Sequence, residues 1–135
     1  MQETRAPQTL DEWVERYRVV WEDRDAEAAA ALFTSDASYR SNIFEDPFQG
    51  RDGVKAYWES VTSSQSDVRV LMGRPFVDGP RVAVEFWTTM NVDGQPTTLA
   101  GCLLLDFDDA WLCRRLREYW HFSSEPTMPP TGWGE

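Results

Sequence analysis

The sequence predicts an α+β domain, with helices from its N-terminal part packed on one face of a mostly antiparallel sheet. Three observations carry this expectation. Apolar residues recur at helical spacing as far as Val61, the period becomes two from Asp67 onwards, and Asp78-Gly79 and Asp93-Gly94 supply hairpin turns between alternating runs. At 135 residues and 41% hydrophobic content, the chain is long enough for one core and too short for two.

Thr9, with Glu12 three residues on, forms a capping box, and Leu10, Trp13, Val14, Tyr17 and Trp21 then repeat as the buried stripe of a first helix. Asp25 caps a short second helix, AEAAAALF, whose alanines permit close packing and whose Leu32 and Phe33 point to the core. Ala37, Tyr39 and Ser41 alternate with Ser38, Arg40 and Asn42 in a first strand, and a Pro-containing loop follows through FEDPFQG. Val54, Tyr57, Trp58 and Val61 mark a third amphipathic helix. Val68, Val70 and Met72 open the sheet region, and Pro75 predicts an edge or a bulge.

A two-residue turn at Asp93-Gly94 fixes a register. Counting back pairs Thr88 with Leu99, Phe86 with Gly101, Val84 with Leu103 and Val82 with Leu105 on one apolar face. Arg81 with Asp106, Glu85 with Cys102 and Trp87 with Ala100 fall on the other, where Glu85 is expected to pair with Arg115 or Arg117. After a turn at Asp108-Asp109, LCRRLREYWHF alternates so that Leu112, Arg114, Leu116, Glu118, Trp120 and Phe122 share a face. That row places one carboxyl, Glu118, among apolar side chains, a costly arrangement unless it is paired, protonated or part of a ligand pocket. Arg114, four residues away on that row, is one candidate partner. Residues 1–8 read as a disordered N-terminus, 9–122 as the domain, and 123–135 as an irregular Pro-rich tail.

A formal net charge of -10 and a pI near 4.5 argue against nucleic acid and anionic membrane surfaces as partners. Two cysteines, Cys102 and Cys113, are too few for a disulfide framework and read as free thiols on the outer sheet face; with no apolar N-terminal segment, the expected location is cytoplasmic. No His, Cys and carboxylate cluster has metal-site spacing and no glycine loop fits a phosphate, so neither metal nor cofactor is expected. The outer face, carrying Trp87, Cys102, Leu104 and Tyr119 among charges, predicts a homodimer.

The order of elements, with Arg16-Tyr17, Leu32-Phe33, Asp36-Ala37, Gly50-Arg51, Asp93-Gly94, Phe107-Asp108 and Tyr119-Trp120, resembles the nuclear transport factor 2 superfamily, and within it the SnoaL-like and ketosteroid isomerase branches. The resemblance covers about residues 10 to 122. It implies a cone-shaped fold in which the helices pack on a strongly curved sheet. It also implies that Tyr17 stands where the isomerases hold an oxyanion-binding tyrosine, while Ser41 and Leu103 occupy the places of their two catalytic acids.

The function expected is binding of a small hydrophobic, ring-containing molecule in a cone pocket, without a cofactor. Glu118 and Tyr17 are the candidates for acid or base chemistry of an isomerase, cyclase or hydrolase kind. Tyr39 and Ser41 are the polar handles, and Trp58, Phe86, Leu99, Leu103, Leu116 and Trp120 the apolar walls. The alternatives are a non-catalytic carrier or sensor and a dimeric assembly module whose pocket is filled by its own side chains.

Overall fold

The computed structural model describes residues 7–135. Helices α1 (Leu10–Asp23), α2 (Ala26–Ala30) and α3 (Gly50–Thr62) accompany strands β1 (Phe33–Arg40), β2 (Phe48–Gln49), β3 (Gln65–Met72), β4 (Phe76–Asp78), β5 (Arg81–Val92), β6 (Gln95–Phe107) and β7 (Cys113–Ser123). They form one mixed sheet in the order β2-β1-β7-β6-β5-β3, with β4 also on β5, and only the β1–β7 pair is parallel. This is the expected α+β architecture. Among the described residues, no helix is long and apolar enough to cross a membrane.

Helix α1 begins at the predicted cap: Thr9 Oγ1 accepts from the Glu12 N–H at 3.1 Å, while Glu12 Oε1 reaches back one residue beyond the cap, to the Gln8 N–H at 2.8 Å. Most of the segment read as a disordered N-terminus lies outside the described residues; of its last two, Pro7 is buried and Gln8 joins this cap. Trp13, Val14, Tyr17, Val20 and Trp21 form the buried stripe of α1. Trp13 stacks on Tyr17 at 5.4 Å and meets Phe107 edge-on at 5.2 Å, and its indole N–H donates to the Leu32 carbonyl. The same carbonyl accepts from the Cys113 N–H, so one backbone oxygen ties α1 to β7.

Strands β5 and β6 pair from Arg81↔Asp106 to Val92↔Gln95 in the register counted from the sequence. Asp93 and Gly94, both at positive φ, make the two-residue turn that sets it. The row Phe86, Gly101, Trp120 crosses three strands. A Cβ on Gly101 would lie 2.7 Å from Trp120 Cβ, 2.8 Å from the Phe86 ring and 2.4 Å from the Tyr119 carbonyl, so only glycine admits this close approach. Pro75 lies between β3 and β4, outside any strand.

Strand β7 departs from the simple alternation. Phe107 pairs with Cys113 but Asp106 pairs with Arg115, which leaves Arg114 as an extra, bulged residue. Cys113 therefore enters the core, whereas Arg114 and Arg115 are both exposed. The expected placement of Leu112 and Arg114 beside Glu118 is wrong, as is that of Cys113 on the outer face. The cause is the turn before the strand, where Asp108 Oδ1 accepts from the N–H groups of Ala110 and Leu112 and Trp111 adopts φ 58°. From Leu116 onwards the predicted alternation holds, with Leu103 opposite Glu118. Both cysteines are free, and burial pushes the Cys113 thiol up.

On the outer face Arg115 goes to Asp106 at 2.6 Å, with Arg81 at 3.8 Å from the same carboxylate, in place of the expected pair with Glu85. The segment after Ser123 is irregular but docked. Thr98 Oγ1 donates to the Glu125 carbonyl and accepts from the Thr127 N–H, the Trp87 indole N–H donates to the Thr127 carbonyl at 2.8 Å, and Trp133 packs edge-on against Trp87. The Arg74 N–H donates to Gly134, whose Cα touches Gly73. Trp87, expected to be open for a partner, is thus engaged by the chain's own tail.

Replacing Gly101 by valine is expected to lower stability by about 1–3 kcal/mol, the usual cost of overpacking, because backbone as well as side chain must shift. Urea unfolding of the variant against the parent measures it, and equal midpoints would contradict the close approach described.

Candidate functional site

A cavity of about 390 Å³ opens between the C-terminal end of α3 and the hairpin end of β5 and β6. Tyr57 and Val61 line it from α3, Met90 and Val92 from β5, Thr97 and Leu99 from β6, and Glu118, Trp120 and Phe122 from β7. Glu118 and Tyr57 are its titratable lining groups. Trp120 and Phe122 stand 45% and 62% exposed at its rim, so large apolar surface faces solvent there.

Glu118 is held from the protein side by Tyr39, whose hydroxyl donates to Oε2. The parallel pairing of β1 with β7 makes this contact, setting Tyr39 beside Leu116 across 77 residues of chain. Tyr17 from α1 and Tyr57 from α3 bring their hydroxyls to that of Tyr39, and Tyr57 also reaches the Ser41 side chain. Three phenols from three elements converge on one carboxyl. Tyr17 reaches Glu118 through Tyr39 and not by direct contact.

Loss of water opposes ionisation throughout this cluster. Burial raises the Glu118 carboxyl to about 7, and the Tyr39 hydrogen bond opposes the rise without cancelling it. Burial, with the Glu118 charge beside them, also holds all three phenols well above the usual tyrosine range. They are therefore donors and not bases near neutrality. Glu118 is the group there that can gain or lose a proton.

Of the residues expected to line the pocket, Leu99 and Trp120 do so. Ser41 lies one residue beyond β1, where its carbonyl accepts from the Trp120 indole N–H at 3.2 Å. Tyr39, Trp58, Phe86, Leu103 and Leu116 are buried behind the cavity, packed with Trp21 and Tyr17 into an aromatic-rich core. Trp58, Phe86, Leu103 and Leu116 are thus core and not walls, and Tyr39 is a polar group behind the cavity and not a handle in it, since the bulky rings of α1 and α3 fill the depth of the cone. Tyr57, Met90, Thr97 and Phe122 went unassigned in the sequence. Carrying the hairpin register one step past Thr88↔Leu99 gives Met90↔Thr97, and continuing the β7 alternation gives Phe122. Tyr57 had no such signal, because its helical stripe looks the same for core and cavity. Among the described residues, no group of three or more His, Cys, Asp or Glu side chains converges to hold a metal ion.

A family model, the SnoaL-like domain, matches residues 14–114. The chain belongs to the SnoaL-like family. Among solved structures, this SnoaL-like chain is similar to a hypothetical protein of ketosteroid isomerase-like fold from Catenulispora acidiphila, in complex with trimethylamine, at 18% identity and TM-score 0.73 over 82% of this chain and 86% of that one. It is similar at 19% identity and TM-score 0.73 to SalBIII, an epoxide hydrolase/cyclase-like enzyme of pyran ring formation in salinomycin, over 84% and 94% of the two chains. A third, RV0760c of Mycobacterium tuberculosis, aligns at 16% identity and TM-score 0.71 over 90% and 98%. At these identities the likeness establishes the shared fold. Among curated proteins, none matches the sequence significantly.

The raised Glu118 carboxyl gives the folded SnoaL-like chain a pH dependence of definite sign. The folded state holds a proton that the unfolded chain releases, so this stability is complete below the unfolded value of 4.5 and is lost as pH climbs to about 7. Glu118→Gln, which cannot ionise, should therefore gain relative to the parent between pH 4 and 8, by on the order of 3 kcal/mol. Denaturant unfolding across that range tests this; parallel curves would mean that Glu118 is solvated, and a relative loss would mean an ion pair.

Proposed function

We propose that this SnoaL-like chain binds a small, hydrophobic, ring-containing molecule in the 390 Å³ cavity and performs acid or base chemistry on it through Glu118, without a cofactor. The observation that carries the reading is a carboxyl at the cavity wall, poised near neutrality and fixed by a phenol. When ionised, Glu118 accepts a proton from the bound molecule; when protonated, it returns one. Tyr39, and Tyr17 behind it, orient the carboxyl and stabilise its charge. This suits an isomerase, cyclase or hydrolase, and the similarity to an epoxide hydrolase/cyclase-like enzyme supports the same class. The functional unit is residues 9–122, with 123–135 as the outer cover, and two free thiols fit a reducing, cytoplasmic setting.

A second reading, a non-catalytic carrier or sensor, is supported by the filled depth of the cone, which leaves Tyr17 and Tyr39 out of the lining. The third, an assembly module, draws support from the same filling but leaves the cavity unexplained. A panel of steroids, aromatic polyketides and terpenoids, read by the fluorescence of Trp120, identifies ligands, and turnover of any hit follows. Glu118→Gln should then lower kcat by about 10²-fold or more while leaving affinity for a neutral ligand within a few-fold. Unchanged turnover would remove Glu118 from the chemistry, and a panel without a ligand would favour the assembly module.

For the outer sheet face we propose self-association through the part that the tail leaves open, around the 43%-exposed Tyr119 with Leu104 and Cys102. Sedimentation at micromolar concentration should show a dimer, weakened by Tyr119→Arg; a single species at 15.6 kDa would refute it.

A further inference from the structure

The cavity's polar chemistry is lopsided. Among the described residues no lysine, arginine or histidine lines it, and its carboxylic acid there, Glu118, has its Oε2 engaged by Tyr39. Oε1 has no hydrogen-bond donor from the protein among the described residues, so the ionised carboxyl presents an unmatched acceptor to the cavity. The titratable groups facing Glu118 are Tyr39 from β1, Tyr17 from α1 and Tyr57 from α3, and β6 contributes apolar Leu103. All three phenols are neutral, so among the described residues nothing balances the charge.

Three rings share the cavity lining with this carboxyl. Tyr57 stands on α3, and Trp120 and Phe122 follow Glu118 on the same face of β7. Aromatic rings attract a cation through their quadrupole and offer no comparable gain to a neutral hydroxyl or to an anion. A carboxylate ligand would face Glu118 with no basic side chain to offset the repulsion, in a chain of net charge -10.

We infer that the ligand's polar group is a cationic nitrogen: the cavity takes a protonated or quaternary amine on a ring-sized apolar body, its nitrogen seated beside Glu118 and its body against the rings of Tyr57, Trp120 and Phe122. This rests on the reading of the cavity as a ligand site and is independent of turnover. Binding of such a cation requires the ionised carboxylate, so a permanently charged ligand releases the Glu118 proton when it binds in mild acid.

Three probes of one shape test the charge preference: phenyltrimethylammonium, its neutral isostere tert-butylbenzene, and benzoate, titrated by tryptophan fluorescence into the parent and into Glu118→Gln. At pH 8 the parent should bind the cation at least about tenfold more tightly than the isostere and show no saturable binding of benzoate. Affinity for the cation should fall by about tenfold per pH unit below 7, while that for tert-butylbenzene stays flat. Glu118→Gln should keep its affinity for tert-butylbenzene, which also reports that it folds, and lose the preference for the cation. Equal binding of cation and isostere by the parent at pH 8, or an undiminished preference in Glu118→Gln, overturns the inference and leaves an apolar cavity intact. Binding of none of the three overturns both the inference and the ligand-site reading beneath it.

Discussion

A carboxyl set in the cavity wall, with, among the described residues, a single phenol to bond and no cation beside it, is the constraint around which this molecule is arranged. Such a group is expensive to bury, and the surrounding fold holds it in place from several directions. Leu103 stands opposite it on β6, Leu116 and Trp120 flank it on β7, and Tyr39 meets it from β1. Each neighbour depends on a separate feature: the hairpin register for Leu103, the absence of a side chain at Gly101 for the seat of Trp120, and the parallel β1–β7 pair for Tyr39. Movement of any one would either flood the carboxyl or leave it with no donor.

The aromatic residues decide how much of the cone is left open. Trp13, Tyr17, Trp21, Trp58 and Phe86 contact one another in stacked and edge-on pairs, each contributing roughly 0.5–1.5 kcal/mol beyond the area it buries. They fill the depth and confine the cavity to the hairpin end. Close packing of large, rigid rings also fixes the phenol hydroxyls, and positional precision of this kind is what acid or base chemistry and ion recognition both require. Among the described residues, the Trp58 indole N–H and Thr88 hydroxyl are buried there without hydrogen-bond partners, a cost on the order of 1–3 kcal/mol each.

The opposite face of the sheet is managed by different means. Exposed apolar side chains on a sheet invite association, and here part of that face is occupied by the segment after Ser123, pinned through Thr98, Trp87 and Arg74. The tail thereby narrows the surface open to a partner, and none of its residues lines the cavity.

What the sequence by itself determined is what short-range chemistry controls. The capping box of α1, the Asp93-Gly94 turn and the β5–β6 pairing counted from it, and the inward row Leu116, Glu118, Trp120 are all specified by residues a few positions apart, or by a turn that fixes every later pair. The tertiary structure decided whatever depends on distant parts meeting. The Arg114 bulge follows from anchoring the start of β7 to Leu32 and to the Asp108 turn, and a run of alternating residues carries no mark of it. Local spacing offers Arg114 as a partner of Glu118, whereas the pairing of β1 with β7 brings in Tyr39, because a hydrogen bond across 79 residues leaves no trace in local spacing. Whether a helical stripe residue lines a cavity, as Tyr57 does, or closes a core, as Trp58 does, rests on how far neighbouring rings fill the space, and only the assembled cone sets that volume.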